Sequence, residues 1–277
     1  MTIRSFLPAR SGRCSPVIAL HSSGASGRQW DPLAAALLGS REVIAPDLHG
    51  HGRGPRPPVG QPSIVAADAA YVAGLARSVP GGVHLVGHSY GGAIALKVAL
   101  EHPDAVHSVV AVEPVMFRLL FDHHGGQRPA AEIRETGRTL RTLVRSGMLE
   151  RAAERFVGYW GGTAAWAALG PQARAAVASR MTAIASHFDG LAADSPPLAE
   201  CSRIAQPVLL MAGTRTRAPA MRIVELLSAA LPRARALRLA GGDHVEALVS
   251  PARIVGRIAA FLGGAGEPHA GAWRAAA

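Results

Sequence analysis

The stretch VHLVGHSYGGAIAL, Val83 to Leu96, decides how this chain is read. Its first half is a continuous apolar run, the pattern of a strand covered on both faces of a parallel sheet. From Tyr90 to His102 small and apolar residues recur (Ala93, Ala95, Leu96, Ala99, Leu100), and the segment reads as a helix. Between the two lies Gly87-His88-Ser89-Tyr90-Gly91, followed by Gly92. This is the Gly-x-Ser-x-Gly pattern at a strand-to-helix turn. Such a turn is tight and strained, so residues without a Cβ flank it. The serine hydroxyl is left at the sheet edge. The helix starting there aims its first amides at the point where negative charge develops in acyl transfer. Ser89 is the candidate nucleophile.

Outward from this motif the same alternation repeats. SPVIALHSSG (Ser15 to Gly24) and REVIAPDLHGHG (Arg41 to Gly52) read as strands running into glycine-rich loops. VHSVVAVEP (Val106 to Pro114), QPVLLMAG (Gln206 to Gly213) and RALRLAGG (Arg235 to Gly242) read as further strands. Helices are predicted over Ala220 to Leu231 and Pro251 to Leu262, the latter with proline early in the helix. Strands alternating with helices predict an α/β fold with a doubly wound, mostly parallel sheet. Arg118 to Arg203 is helical in character throughout and reads as an insertion. The expected organisation is a core over 1–117, the insertion over 118–203, a second core part over 204–262, and a Gly/Ala-rich, disordered tail over 263–277.

A serine nucleophile needs a base. Of twelve histidines, His244 follows the strand ending at Leu239, in AGGDHVEAL. That places it at the carboxyl edge of the sheet, after the nucleophile in chain order. His88 is read as packing beside the turn. His49 and His51 have no further ligands at useful spacing, so no metal is expected. His123 and His124 lie in the insertion, facing a pocket or water. The oxyanion needs two backbone donors: the amide of Tyr90, and one from the loop His21 to Trp30, where Ser23 is the candidate.

HSSG, DLHGHGRG, LVGHSYGGAIAL and GGDH occur in the order and spacing of α/β-hydrolase fold enzymes, and from Pro16 to Leu262 the chain resembles that family. The resemblance implies that the insertion is a helical cap over the active site, and that the chain hydrolyses esters or related acyl compounds of small size without a cofactor. Two departures stand out. Ser22 takes the place of the usual glycine after His21. Relatives commonly carry the acid in a pattern like Gly-Asp-x-Asp, whereas this chain reads AGTRTRAP from Ala212 to Pro219, with Thr214 and Thr216 where aspartate is expected. Glu113, at the end of the strand after the nucleophile helix, is the predicted acid. Certain haloalkane dehalogenases place theirs at that strand end, but they use an aspartate nucleophile, and Ser89 argues against that reaction. Asp243 is the rival, disfavoured because neighbours in an extended loop point apart. Asp47 and Asp68 read as structural. Trp160 or Trp166 is expected to wall the pocket or pack the cap.

Composition bounds the remaining classes. Hydrophobic residues make up 49% and charged residues 17%, which is globular and not disordered. The net charge of +10 raises a nucleic-acid reading. Apart from Lys97 the basic residues are arginines, scattered with only loose groupings such as Arg134, Arg138, Arg141 and Arg145, and no nucleic-acid motif accompanies them. The charge is read as an arginine bias, with no nucleic-acid partner. Cys14 and Cys201 have no metal or disulfide-framework spacing. No signal-peptide or transmembrane pattern is seen, so a cytoplasmic protein without membrane attachment is expected. The same residues are open to C–C bond, lactone or amide hydrolysis, cofactor-free haloperoxidation, or a non-catalytic receptor on this fold.

Overall fold

The computed structural model describes residues 4–6, 14–60, 62–123, 127–264 and 274–276. Eight strands form one sheet: β1 (Arg4–Phe6), β2 (Val17–Leu20), β3 (Val43–Ala45), β4 (Val83–His88), β5 (Val106–Val112), β6 (Val208–Gly213), β7 (Ala234–Leu239) and β8 (Arg274–Ala276). Their order is β1-β3-β2-β4-β5-β6-β7-β8. Only β1 runs antiparallel to its neighbour, β3. The predicted doubly wound, mostly parallel sheet is therefore observed, with two short outer strands, β1 and β8, that the sequence reading lacked. Most of the tail 263–277 lies outside the described residues.

The apolar runs work in alternation. Ile18 and Leu20 face one core while Val17 and Ala19 face the other. Val109 and Ala111 part from Val110 and Val112 in the same way, as do Leu210 and Ala212 from Leu209 and Met211. Both faces are thus dry, and a fully buried Val or Leu is worth about 2 kcal/mol over an exposed one. A charge at Val110, buried mid-strand, would find no partner.

Helices α1 (Asp31–Leu37), α2 (Ile64–Arg77) and α3 (Tyr90–Glu101) join the first strands. Ser63 caps α2, its hydroxyl accepting from Ala66 N. Between β5 and β6 the chain is helical: α4 (Arg118–Asp122), α5 (Gln127–Arg145), α6 (Leu149–Gly161), α7 (Thr163–Ala168), α8 (Pro171–Ala178), α9 (Met181–Ala193) and α10 (Leu198–Cys201). Then come α11 (Ala218–Ala230), α12 (Glu246–Val249) and α13 (Ala252–Leu262). Helices α1 and α13 cover one face, and α2, α3 and α11 the other. The inserted helices share the second core through Phe156, Trp160, Ile184 and Phe188.

Candidate active site

The site is built from loops at the carboxyl ends of adjacent strands. Ser89 follows β4 with φ 53° and ψ −114°, a conformation that L-residues rarely adopt. Its amide donates to Val112 O at 2.8 Å, so the sheet itself holds the strained turn. The flanking glycines are required by close approach. A Cβ on Gly87 would lie 2.2 Å from Gly91 O, and one on Gly91 would lie 2.3 Å from Leu20 O.

Glu113 follows β5 and is the second non-glycine residue with positive φ among those described, at 45°. Its amide continues the ladder to Met211 O at 2.8 Å. This turn aims its carboxylate along the sheet edge, where three donors meet it. Gly213 N donates to Oε1 at 2.8 Å, Thr216 Oγ1 donates to Oε2, and His244 Nδ1 donates to Oε2 at 2.7 Å. On the other side of that imidazole, Ser89 Oγ donates to His244 Nε2 at 3.0 Å. Ser89, His244 and Glu113 are 5%, 4% and 1% exposed. Burial pushes the Glu113 carboxyl up, but the bonds from His244, Thr216 and Gly213 outweigh it and hold the pKa below the usual value. The three residues singled out from sequence thus stand in one hydrogen-bonded line. Asp243 is not part of it; its Oδ1 accepts from Val245 N at 3.1 Å and shapes the loop.

Tyr90 opens α3, so its amide has no partner within the helix. Its hydroxyl donates to Asp68 Oδ2 at 2.6 Å, beneath the turn. Asp68 Oδ1 also takes His49 N and Nδ1. Asp47 accepts from Gly27 N and Arg53 N. Both aspartates thus hold loops and side chains beside the turn.

The loop carrying Ser23 is braced from two sides. From the core, His21 Nδ1 donates to Ser22 O and its Nε2 accepts from Leu48 N, while His51 Nε2 accepts from Gly24 N. Burial lowers His21 to about 4 and His51 to about 3, so both are neutral. From the insertion, Arg180 Nη1 donates to Gly24 O at 2.5 Å. His187 Nδ1 bonds Ser23 Oγ at 2.7 Å, and its ring stacks on Tyr90 at 3.6 Å and 5°. Arg180, His187 and Gln29 escaped the sequence reading, and Thr216 was given no role at the site. Only Thr216 carried a signal, by standing where an acid was expected.

Trp160 stacks on His244, centroids 3.9 Å apart. Trp166 lines a cavity of about 630 Å³ with Tyr159, Arg155 and Arg217, away from Ser89. His123 ends α4; His124 lies outside the described residues. Cys14 and Cys201 are free thiols. Among the described residues no helix is long and apolar enough to cross a membrane.

This architecture matches known proteins. Residues 15–251 match the family described as alpha/beta hydrolase fold, and the chain belongs to that family of hydrolases. It is 37% identical over 101 residues to lipase LipV of Mycobacterium tuberculosis, covering 36% of this chain and 37% of that one. It is 35% identical over 112 residues to a 2-hydroxymuconate semialdehyde hydrolase of a Pseudomonas species, covering 36% of each. The chain thus spans little more than a third of the length of these relatives. In fold it is similar to the enol-lactonase of Burkholderia xenovorans LB400, with TM-score 0.72, 19% identity, and 95% and 96% of the two chains covered. A hydrolase from Pseudomonas aeruginosa gives TM-score 0.70 at 24% identity, covering 94% of this chain and 93% of that one.

Proposed function

We propose that the protein is a serine hydrolase that cleaves a small ester or related acyl compound through an acyl-enzyme. The observation that carries this reading is the unbroken line Ser89 Oγ to His244 Nε2, then His244 Nδ1 to Glu113 Oε2. In the proposed cycle Ser89 Oγ attacks the substrate carbonyl carbon while His244 Nε2 takes its proton. The carbonyl electrons move to oxygen, and the amides of Ser23 and Tyr90 receive the oxyanion. Collapse expels the alcohol, which leaves with the proton from His244. Water then attacks the acyl-enzyme, giving its proton to His244; collapse breaks the bond to Ser89, whose Oγ takes that proton back, and the acid leaves. Glu113 keeps Nδ1 protonated, so that Nε2 presents its lone pair to Ser89, and its charge offsets the imidazolium. Residues 118–203 act as a cap domain that closes over Ser89, and substrate choice resides there. No cofactor or metal is required by this scheme.

The test is a fluorophosphonate probe, followed by p-nitrophenyl esters of graded acyl length. Single labelling of the wild type, lost in Ser89→Ala, is the expected result. Equal labelling of both proteins overturns the assignment.

A further inference from the structure

His88 precedes the proposed nucleophile, and its ring makes two bonds that the triad does not use. Its Nε2 lies 2.8 Å from the carbonyl oxygen of His244, and its Nδ1 lies 3.0 Å from Gln29 Nε2. Gln29 belongs to the 3-10 turn Gly27–Trp30, and its Oε1 meets Ser22 N at 2.9 Å and Ser22 Oγ at 3.2 Å. We propose that Gln29 and His88 are positioning residues, forming a one-way hydrogen-bond relay that locks the Ser22–Ser23 loop, the nucleophile turn and the His244 loop to one another. This inference rests on the serine-hydrolase reading.

The direction of every bond is forced. A carbonyl only accepts, so His88 Nε2 must carry a proton. His88 is buried, and burial, followed by the neighbouring His244, lowers its pKa to about 3; Glu113 acts weakly the other way. The ring is therefore neutral, and Nδ1 holds a lone pair. Gln29 must present its NH2 group to that lone pair, which turns Oε1 toward Ser22. Oε1 then accepts the Ser22 amide and hydroxyl together. Reversing the Gln29 amide would set oxygen against a lone pair and NH2 against the Ser22 N–H. One arrangement satisfies all the groups, and buried networks with a single solution are rigid.

This accounts for Ser22 standing where relatives have glycine. Its hydroxyl adds a second bond to Gln29. With the Ser22 amide committed to Gln29, the next amide, that of Ser23, is the one left to meet an oxyanion. At the far end the relay grips the backbone of His244 rather than its ring, so it sets where the base sits without titrating it. His244 and Glu113 are the ionisable groups facing His88, and neither bonds its ring nitrogens through a side chain.

The full-length chain tests this with Gln29→Leu and Gln29→Glu, by p-nitrophenyl acetate hydrolysis, fluorophosphonate labelling rate and Tm. Gln29→Leu is expected to lower kcat and the labelling rate about tenfold or more, with KM within about threefold. In Gln29→Glu an oxygen faces the Nδ1 lone pair until one extra proton is taken up. Its activity relative to wild type should therefore rise as pH falls from 8 to 6. A loss of Tm with unchanged kcat and labelling, and a flat ratio across pH, would reduce His88 and Gln29 to packing and overturn the proposal. Nitrogen-15 NMR of His88 supplies a readout independent of turnover: Nε2 protonated, Nδ1 bare, without titration between pH 8 and 5. A proton on Nδ1 overturns the relay even if the ester assay fails. An inactive wild type with the expected His88 tautomer instead counts against the hydrolase reading alone.

Discussion

The indole of Trp160 lies over the imidazole of His244, with centroids 3.9 Å apart and planes 25° from parallel. Trp160 sits in the last turn of α6, so an inserted helix supplies the wall of the base. An aromatic face stabilises a cation beside it by about 0.5–2 kcal/mol, and the proposed mechanism makes the imidazole a cation as Ser89 gives up its proton. Trp160→Leu keeps the apolar wall and removes that face. Its kcat is expected to drop about three- to thirty-fold in ester hydrolysis, with Tm lowered by a few degrees. A kcat unchanged from wild type would leave Trp160 as cap packing only.

Glu113 offers a sharper test. Its oxygens accept three donors, from Gly213, Thr216 and His244. An amide in its place must set NH2 against at least one of them. Glu113→Gln should therefore lose about 1–3 kcal/mol of stability from the unsatisfied donor, and about 10²–10⁴ in kcat from the lost charge and tautomer control. Thr216→Val removes one donor and leaves the carboxylate, so a loss of about tenfold or less is expected. Steady-state kinetics with urea unfolding separates the two effects. Equal, small losses in both variants would remove Glu113 from the triad.

Acid should unfold this protein early. His21, His51 and His88 are buried neutral, with folded pKa values lowered to about 4, 3 and 3. The unfolded chain binds these protons first, so stability is full above the ordinary histidine value of about 6.5 and is lost as pH falls toward the folded values. Each group costs about 1.4 kcal/mol per pH unit in that window. Glu113, also lowered, adds a loss of the same sign at lower pH. Urea unfolding at pH 7, 6 and 5 is expected to show steadily falling stability, with a shallower slope in His51→Asn. A flat profile would mean that these rings gain partners on protonation.

The legible part of this molecule was local or tied to the sheet. Gly87 to Gly91 declares a turn because only glycine fits there, and β2, β4, β5 and β6 declare themselves as unbroken apolar runs. That Ser89, Glu113 and His244 lie together was legible because each closes a strand or follows one at the same edge. The three-residue strands β1 and β8 are too short for any periodicity to show. Contacts such as Ser23 with His187, 164 residues apart, or His88 with the His244 carbonyl, 156 apart, are made by packing of distant segments and leave no local pattern. His187 in particular sits among Ile184, Phe188 and Leu191 on the buried side of α9, where it reads as an ordinary core position.

The grip of the inserted helices on the Ser23 loop has a further meaning. Arg180 holds the Gly24 carbonyl, His187 holds the Ser23 hydroxyl, and Phe156, Ile184 and Val177 close over Gly24. Ser89 is almost fully covered, so in the proposed reaction a substrate would have to part these helices from the loop, and parting them would break the same ties. Entry and readiness would then be opposite phases of one stroke. With the door open, the proposed oxyanion cradle would be slack and bulk water would meet a disarmed serine. Shutting it on a molecule that fits would restore the cradle at the moment that molecule is trapped.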